Sequence, residues 1–371
     1  MKNRTLFLSL RIFSAVGGIE KSCKIIGKAL GEITSKEKSS LRIFSMYDDP
    51  KDAIANPYFS FDIFKGFSKN KLRFSIAAVF QSLNADVILL SHVHLMVLGW
   101  LIKLLNPKKK IILFVHGIEF WGRLNWMQSK MISSVDLFLP VSRFSAEQMQ
   151  VFNRIDPKII KVLHHCIDPI LIKKNSSTEH IELKQKYSLT DQDQLILSIC
   201  RISKADRKKG YDKVIHSLVN LKSKFNSVKY LMVGPYTDDE KEFVETLASK
   251  LGLSDRLIIT GYLSDEEIIR MFNIADVFIL PSTKEGFGYV FVEALYFGVP
   301  VIAGNEDGAA DALSNGEFGV MVDVNNLAAI EAALIQVLSD KKKHIVSRRE
   351  LLSQFDYSNY KSKLYDLVYI N

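Results

Sequence analysis

Short apolar runs alternate with longer amphipathic segments along the whole chain. The runs are rich in β-branched and aromatic residues and show no apolar–polar alternation, which is typical of strands buried on both faces of a parallel sheet. The first half contains six of them: TLFLSL (5–10), LRIFSM (41–46), DVILL (86–90), KIILFVH (110–116), DLFLPVS (136–142) and KIIKVLHH (158–165). The second half contains six more: QLILSIC (194–200), KYLMVG (229–234), RLIITGY (256–262), DVFILPS (276–282), PVIAG (300–304) and GVMVD (319–323).

Two sets of six strands predict two α/β domains, because few twisted open sheets exceed roughly ten strands. A length of 371 residues also suits two domains. The polar stretch at 169–193 separates the two sets and predicts a linker. We therefore expect a doubly wound parallel sheet over residues 1–170 and another over 190–355. Residues 356–371 follow the last helix and could pack on either domain.

The composition favours a cytoplasmic globular protein. Hydrophobic residues make up 47% of the chain and charged residues 24%, which is ordinary for such a protein. Cys23, Cys166 and Cys200 show no C-x-x-C spacing, which argues against a disulfide framework or zinc site. The apolar residues 4–10 are too few for a signal peptide, and the stretch 87–105 is broken by polar side chains and falls short of a membrane span.

The net charge of +8 suits nucleic acid, an anionic lipid surface or a phosphate-bearing ligand. Aromatic residues interleave with lysine and arginine at 56–74, lysines share a helix face at 21–28, and KKK stands at 108–110. This pattern predicts peripheral contact with the anionic inner face of the plasma membrane. An amphipathic segment that faces the core and leaves its lysines in water explains it nearly as well. No nucleic-acid-binding module is recognisable, so we expect no nucleic-acid partner.

The densest group of candidate binding residues lies at 281–303, PSTKEGFGYVFVEALYFGVPVIA. Here a strand leads into a glycine loop and then a helix that begins near Tyr289, at the sheet edge where open α/β folds bind ligands. Glycines let a ligand approach the backbone closely, and the amides at a helix start suit a phosphate. Glu285 in the loop could accept hydrogen bonds from sugar hydroxyls, and Glu293 could hold a ribose diol. The alternative is two solvated acids.

Two basic residues follow the first strand of the second half. Arg201 comes directly after that strand, and Lys209 stands before a glycine at the start of the next helix. A diphosphate group is well matched by an arginine fork together with the point charge of a lysine. The alternative is an ordinary solvated basic loop.

The first half has weaker candidates. Residues 15–18 form a phosphate-compatible turn after the first strand, but G-x-G-x-x-G and Walker patterns are absent, which argues against a nicotinamide dehydrogenase. His116 ends a strand near Glu119 and could donate to phosphate or sugar oxygens, or serve the structure alone. His92 and His94 are spaced like a metal pair but lack a third ligand.

Taken together, these segments resemble glycosyltransferase family 4, a group of retaining enzymes with the GT-B fold. The spacing of Glu285 and Glu293 within EGFGYVFVEALYFGVPVIA is similar to the family signature. Further similar segments follow one another in family order: GGIEKSCKIIGKAL (17–30), FVHGIEFW (114–121), FLPVSRFSAEQM (138–149), HHCIDP (164–169) and IADVFILPS (274–282). The resemblance implies two Rossmann-like domains that face a central cleft, with the acceptor on the first domain and the final helix, 356–371, crossing back to it.

The resemblance also implies roles for individual residues of the second half. Glu285 binds hydroxyls of the donor sugar, and Glu293 binds the ribose. The backbone amides of Phe287, Gly288 and Tyr289 meet the diphosphate. These five positions would form the binding site for a nucleotide-diphospho-sugar.

Four other residues complete the site that the resemblance implies. Arg201 and Lys209 stabilise the departing nucleoside diphosphate, Gly18 lines the phosphate side of the cleft, and His116 lies near the transferred sugar. The loop between Arg201 and Lys209 is longer than usual, so Lys208 could take the place of Lys209. Asp311 stands near where many relatives carry a glutamate, which leaves its role open.

The resemblance therefore implies a retaining glycosyltransferase that moves a hexose-type sugar from a UDP- or GDP-linked donor. The expected acceptor is a glycan or lipid-linked glycan in bacterial surface polysaccharide or lipopolysaccharide synthesis. We expect no divalent metal and no cofactor besides the donor, since the family needs no metal and no convincing D-x-D motif is present. Two alternatives remain: a sugar-nucleotide epimerase of the same architecture, and a non-catalytic sugar-nucleotide-binding subunit.

Overall fold

The computed structural model describes residues 4–173 and 180–370. These residues form two units. The first consists of Met1–Ile170 and Tyr357–Asn371, and the second of Leu171–Asp356. Part of the predicted linker, at 174–179, lies outside the described residues.

Each unit is built on a six-stranded parallel sheet. The first sheet contains β1 (Thr5–Ser9), β2 (Leu41–Ser45), β3 (Phe64–Gly66), β4 (Val87–Leu90), β5 (Lys110–Val115) and β6 (Leu137–Pro140). The second contains β7 (Gln194–Ile199), β8 (Val228–Val233), β9 (Leu257–Gly261), β10 (Val277–Leu280), β11 (Val301–Gly304) and β12 (Val320–Val322). The strand orders are β3-β2-β1-β4-β5-β6 and β9-β8-β7-β10-β11-β12, the Rossmann order in both cases.

Helices connect the strands and cover the sheets. In chain order they are α1 (Gly18–Lys36), α2 (Lys71–Leu83), α3 (Met96–Leu105), α4 (Trp126–Met131), α5 (Arg143–Asn153), α6 (His180–Lys186), α7 (Tyr211–Lys224), α8 (Asp238–Lys250), α9 (Asp265–Ile274), α10 (Tyr289–Tyr296), α11 (Ala309–Ala312), α12 (Leu327–Ser339), α13 (Arg348–Phe355) and α14 (Tyr357–Tyr365). Within the described ranges, every helix is too short or too polar to span a lipid bilayer.

Local sequence explains why these segments take these forms. All residues of β1, β4 and β10 are buried, as the unbroken apolar runs predict for central parallel strands. In α1 the apolar residues recur at helical spacing, so Cys23, Ile26 and Leu30 share one buried face. At the start of α9, Ser264 and Glu267 each bond the other's backbone amide, a capping box that fixes the first turn.

The predicted strand at 158–165 is wrong. Pro157–Ile159 forms a short 3₁₀ turn, and the following residues run beside β6 with only two backbone hydrogen bonds, from Lys161 to Phe138 and from Leu163 to Pro140. The sixth strand of the first sheet is instead the short β3, which pairs in parallel with β2. Its three residues lie within the aromatic–basic segment 56–74, where no apolar run marks a strand.

The final segment, residues 357–370, packs within the first unit. Leu364 and Val368 are fully buried, and Lys361 pairs with Glu32 of α1 at 2.7 Å. The Thr5 hydroxyl at the start of β1 shares a 2.8 Å hydrogen bond with the hydroxyl of Tyr369. The second unit is therefore inserted, in sequence, between two parts of the first.

Candidate functional site

The two halves of the second sheet run outward from β7 and β10, which pair with each other at its centre. Ligands of open parallel sheets bind beyond the carboxyl ends of the strands, at this point of reversal. Arg201 follows β7 and Glu285 follows β10, so both belong to the segments that leave this edge. The predicted cluster of the second half therefore stands at the position where the fold favours a ligand.

Lys209 and Glu285 form a direct ion pair, although 76 residues separate them. The Lys209 ammonium group donates a hydrogen bond to Glu285 Oε2, and both side chains are mostly buried. Burial alone would lower the pKa of Lys209, but the charge of Glu285 and the hydrogen bond outweigh it and raise that pKa. Lys209 is therefore fully charged at neutral pH.

The basic loop reaches this place because it is docked on the end of β10. Gly210, at φ +76°, closes the loop, and a Cβ there would lie 2.3 Å from the Pro281 carbonyl oxygen. The Thr283 amide donates to the Lys208 carbonyl at 3.0 Å. Lys208 thus contributes its backbone to the docking, and Lys209 is the residue whose side chain reaches Glu285.

Arg207, the third basic residue of the loop, points to a different partner. Its guanidinium group makes two hydrogen bonds, of 2.7 and 2.9 Å, to the carboxylate of the fully buried Glu240 on α8. It also lies over the ring of Phe243, 3.7 Å from the centroid. The hydroxyl of Tyr211 donates to the same carboxylate at 2.7 Å. This group anchors the basic loop to α8.

The loop that carries Glu285 is held by Asp307. The Glu285 amide donates to Asp307 Oδ2 at 2.7 Å, and the Ala309 amide donates to Oδ1 at 2.9 Å. Burial raises the pKa of Asp307 to about 7, and the nearby negative charge of Glu285 contributes to the rise because it also opposes ionisation. Gly308 packs directly on the loop, and a Cβ there would lie 2.0 Å from the Gly286 carbonyl oxygen.

The glycine loop ends at the start of α10. Gly288 adopts φ +87°, and a Cβ there would meet the ring of Phe291 at 2.4 Å. The amides of Gly286 and Gly288 have no acceptor among the described residues, and no side chain caps the helix. Phe287 is buried against Phe355 and anchors the loop. An anion at this helix start would find free amides and the positive end of the helix dipole.

The remaining predicted residues of the second unit lie at different depths. Glu293 is buried on α10, and Tyr289 is buried in the first turn of the same helix. Arg201 is 67% exposed, with its Nε 3.7 Å from Asp206 Oδ2. Asp311 is buried on the short α11. Arg201 thus stands at the carboxyl edge as a solvated cation, outside the ion pair of Lys209 and Glu285.

In the first unit, Gly18 begins α1 and is exposed. The loop before it is shaped by Asp48, a fully buried carboxylate that follows β2. Asp48 accepts hydrogen bonds from the amides of Ile12 at 2.6 Å and Ser14 at 2.8 Å, and from the Ser45 hydroxyl at 2.6 Å. This carboxylate holds the backbone that leads from β1 to the glycine turn.

His116 follows β5, and its ring has a defined role for each nitrogen. Nε2 lies 2.9 Å from the Ser91 carbonyl oxygen, which can only accept, so Nε2 carries the proton. Burial, helped by nearby His92, lowers the pKa of His116 to about 4. At neutral pH, Nδ1 is therefore an unprotonated acceptor, and it is buried with no partner among the described residues. The expected donation to a phosphate does not fit this tautomer, whereas acceptance from a hydroxyl does.

Other histidines gather around His116. The His165 ring stacks on it at 6.3 Å, and burial holds the pKa of His165 well below its usual value. His92 Nδ1 accepts a hydrogen bond from the His94 amide at 3.2 Å, so the predicted pair caps a turn. Within residues 4–173 and 180–370, no group of three or more His, Cys, Asp or Glu side chains is arranged to hold a metal ion.

The sequence reasoning missed the carboxylates that support the site. Asp48 and Asp307 both follow strands at the carboxyl edge, so inspection of every strand end would have found them. Glu240 lies on the first turn of α8, and nothing in its local sequence indicates burial or an arginine partner. Its role depends on a contact over 33 residues, which only the fold brings about.

Comparison with known proteins agrees with this arrangement. Residues 179–355 match the family described as glycosyl transferases group 1, and residues 34–170 match glycosyltransferase family 4. The two matches lie one on each side of the boundary between the units. The chain therefore belongs to these glycosyltransferases, with the two-domain GT-B fold, as the resemblance implied.

Several individual proteins are similar to this chain. A glycosyltransferase of Methanocaldococcus jannaschii is 25% identical over 66% of this chain and 60% of its own length. A GDP-mannose-dependent alpha-(1-6)-phosphatidylinositol monomannoside mannosyltransferase of Mycobacterium tuberculosis is 27% identical over 50% of each chain. The alignments thus span only half to three-fifths of these relatives. The structure of Anabaena HepE in complex with UDP covers 98% of each chain with a TM-score of 0.81 and 18% identity, a likeness of fold alone.

Proposed function

We propose that this glycosyltransferase moves a hexose-type sugar, with retention of anomeric configuration, from a UDP- or GDP-linked donor to a glycan or lipid-linked glycan of a bacterial surface polysaccharide. The observation that carries the proposal is the buried pair of Lys209 and Glu285 beside the open start of α10. It combines a cation, a carboxylate and free backbone amides at the carboxyl edge of β7 and β10.

These groups match the parts of a nucleotide-diphospho-sugar. The amides of Gly286 and Gly288 and the ammonium group of Lys209 suit the diphosphate, and the carboxylate of Glu285 suits sugar hydroxyls. Arg201 adds a second cation from the end of β7. Glu293, on α10, is assigned to the ribose.

In the proposed reaction the bond between the anomeric carbon and the diphosphate oxygen breaks, and its electron pair leaves with the diphosphate. The acceptor oxygen bonds to the same face of the sugar, and its proton passes to the departing phosphate. Lys209, Arg201 and the amides stabilise the negative charge that grows on the leaving group. His116 is assigned to the transferred sugar, where Nδ1 accepts a hydrogen bond from a hydroxyl.

We further propose that no divalent ion takes part. The positive charge that the leaving diphosphate needs is supplied by two side-chain cations and by helix amides. Transfer should therefore proceed unchanged in excess chelator. Loss of turnover that manganese or magnesium restores would contradict this part of the proposal.

The experiment is a screen of UDP- and GDP-linked hexoses, with wild-type protein and with Glu285→Gln as the matched control. The names of the relatives include GDP-mannose in one case and UDP in another, so both bases belong in the panel. The proposal expects slow donor hydrolysis by the wild type and faster turnover with a glycan acceptor. The new glycosidic bond, examined by NMR, should have the same anomeric configuration, axial or equatorial, as the bond in the donor. An inverted product would refute retention.

Two other outcomes identify the alternative functions. Conversion of the donor to its epimer without release of nucleotide would identify an epimerase. Tight binding of a donor with no turnover, across water-soluble and lipid-linked acceptors, would indicate a non-catalytic binding subunit.

A further inference from the structure

One side of the first unit carries an unusual number of exposed apolar side chains. The helices α2, α3 and α4 pack side by side, with α3 between the other two. Their inner residues, including Phe74, Met96 and Met131, belong to the core of the unit. Large apolar side chains on their outer faces nevertheless remain in water. Together these outer faces form the α2–α4 surface.

On α2 the exposed apolar residues follow helical spacing. Leu72 and Phe80 expose 71% and 68% of their surface, and Ile76 and Leu83 are also exposed. Residues four apart lie on the same side of a helix, so these side chains form one stripe. A helix with two apolar faces, one in the core and one in water, indicates a partner for the outer face.

The stripe continues on the neighbouring helices. On α3 the outer face presents Val97, Trp100, Leu101, Leu104 and Leu105. On α4, Trp126 is 71% exposed and lies beside the exposed Met127. Scattered exposed leucines are ordinary, but apolar residues on three adjacent helices form a contiguous surface of the kind that marks an interaction site.

The charge of this surface points to its partner. Helices α2, α3 and α4 contain no aspartate or glutamate. Lys71 and Arg73 stand at the start of α2, and Lys130 on α4 lies with its ammonium group 4.0 Å from the ring centre of Trp126. Aromatic and aliphatic side chains on helices whose only charged residues are lysine and arginine are typical of surfaces that rest in the headgroup region of anionic lipid.

The structure confines the membrane prediction to one end of the segment that suggested it. Within 56–74, Phe64, Phe67 and Phe74 are buried, as the core-facing alternative expected. In the KKK run, Lys109 donates to the carbonyls of Leu83 and Ala85, and Lys110 donates to the Val368 carbonyl. The buried phenylalanines and the two lysines serve the fold. Leu72, with Lys71 and Arg73, lies at the end of 56–74 where α2 begins, and from there exposed apolar side chains continue over α2–α4.

We propose that the α2–α4 surface docks this protein on an anionic lipid bilayer, with Phe80, Leu104 and Trp126 among the side chains that enter the interface. A second copy of the chain fits less well. A two-fold interface places the same patch on both subunits, so it would bring lysines and arginines together without acids of the same helices to pair with them.

The wild-type protein already carries a reporter for this contact. Two of its three tryptophans, Trp100 and Trp126, lie on the α2–α4 surface, whereas Trp121 packs on Phe144 and bonds the Ser145 hydroxyl. With vesicles of phosphatidylcholine and phosphatidylglycerol in equal parts, tryptophan emission should shift to the blue and be quenched by brominated acyl chains. Trp100→Phe/Trp126→Phe should bind equally well and lose most of the quenching.

The second test removes the apolar contact itself. Leu72→Ser/Phe80→Ser/Leu104→Ser should weaken sedimentation with these vesicles by about a hundredfold, since each buried side chain contributes about a factor of ten or less. The control, Val219→Ser/Tyr262→Ser/Leu327→Ser, removes exposed apolar residues of the second unit and should bind as the wild type does. Raised salt should weaken binding of the wild type, because it screens the lipid charge.

The outcomes separate this inference from the proposed reaction. Donor hydrolysis in solution should be equal in the wild type and in the triple serine variant, since none of its positions lies at the proposed donor site. Equal vesicle binding by both proteins would overturn the docking surface and leave the reaction untouched. The wild type could instead self-associate without lipid and fail to bind vesicles. If the same serine substitutions abolished that self-association, the surface would belong to a second copy of the chain, and the lipid-docking proposal would be overturned.

Discussion

Lys209 donates a hydrogen bond to Glu285 across 76 residues of sequence, and both side chains are mostly buried. In the structure the ammonium group of Lys209 and the carboxylate of Glu285 neutralise each other. A donor with a diphosphate and sugar hydroxyls would give both groups new partners at little cost in desolvation, because they are already out of water. We therefore expect Lys209 to be the lysine of the basic loop that is most sensitive to substitution.

The first prediction distinguishes the lysines of the loop. Lys209→Ala should lower single-turnover transfer by about a hundredfold, or about 3 kcal/mol, since in the proposed reaction it removes a fixed cation from the leaving group. Lys208→Ala should be mild, because Lys208 contributes its carbonyl to Thr283. Arg201→Ala should match Lys209→Ala, and the double variant should be less than additive. A severe Lys208 variant beside a mild Lys209 variant would show that the assigned lysine is wrong.

The second prediction concerns Arg207, which faces a protein carboxylate. Arg207→Ala leaves the buried Glu240 without its guanidinium partner, although the Tyr211 hydroxyl remains. We expect the free energy of unfolding to fall by about 1 to 3 kcal/mol, the lower values reflecting partial exposure of Arg207. Turnover at low temperature should stay within a few-fold of wild type. Circular dichroism melts and single-turnover assays measure the two effects, and Lys208→Ala is the control.

A third prediction tests whether the backbone of the glycine loop is positioned by its neighbours. In Gly308→Ala the new methyl group would lie 2.0 Å from the Gly286 carbonyl oxygen, so the loop carrying Glu285 must move. A displacement of this size should lower turnover by about a hundredfold. In Gly122→Ala, the matched control, nothing lies within 4 Å of the added methyl group, so turnover should stay near that of the wild type. Unchanged turnover in Gly308→Ala would show that the loop position is unimportant.

The fourth prediction follows from the pKa of Asp307, which rises from 3.8 to about 7 on folding. Between these values the folded protein holds the proton more tightly than the unfolded chain does. Stability therefore falls as pH rises from about 4 to about 7 and is level above that, because both states are then ionised. Asp307→Asn does not titrate, so wild-type stability should decline relative to the variant over this window by a few kcal/mol. If the stability of the two proteins, measured by thermal melting at each pH, changed equally between about pH 4 and about pH 7, the assignment of the raised pKa to Asp307 would be contradicted.

The sequence predicted much of the fold because strands buried on both faces of a parallel sheet need continuous apolar runs, and runs such as DVFILPS are typical of such strands. It failed where pairing depends on distant partners. Phe64–Gly66 becomes a strand because β2 offers an open edge, and KIIKVLHH follows Asp156 and Pro157, which start a turn and leave few bonds to β6. For the candidate site, the segments that follow β7 and β10 pointed to Arg201, Lys209 and Glu285, whose roles stay predictions. The support from Asp307 and the tautomer of His116 depend on contacts that local sequence does not encode.

The sequential insertion of the second unit affects the order in which the chain can fold during synthesis. Residues 171–356 leave the ribosome before the segment that carries Lys361, Leu364 and Tyr369 exists. Until then, Glu32 lacks its contact with Lys361, although Lys28 of the same helix pairs with it, and the Thr5 hydroxyl lacks Tyr369. The apolar surface that receives Leu364 and Val368 is open to water. The first unit therefore stays incomplete until residues 357–370 have been made, whereas all of residues 171–356, which form the second unit, are available before then.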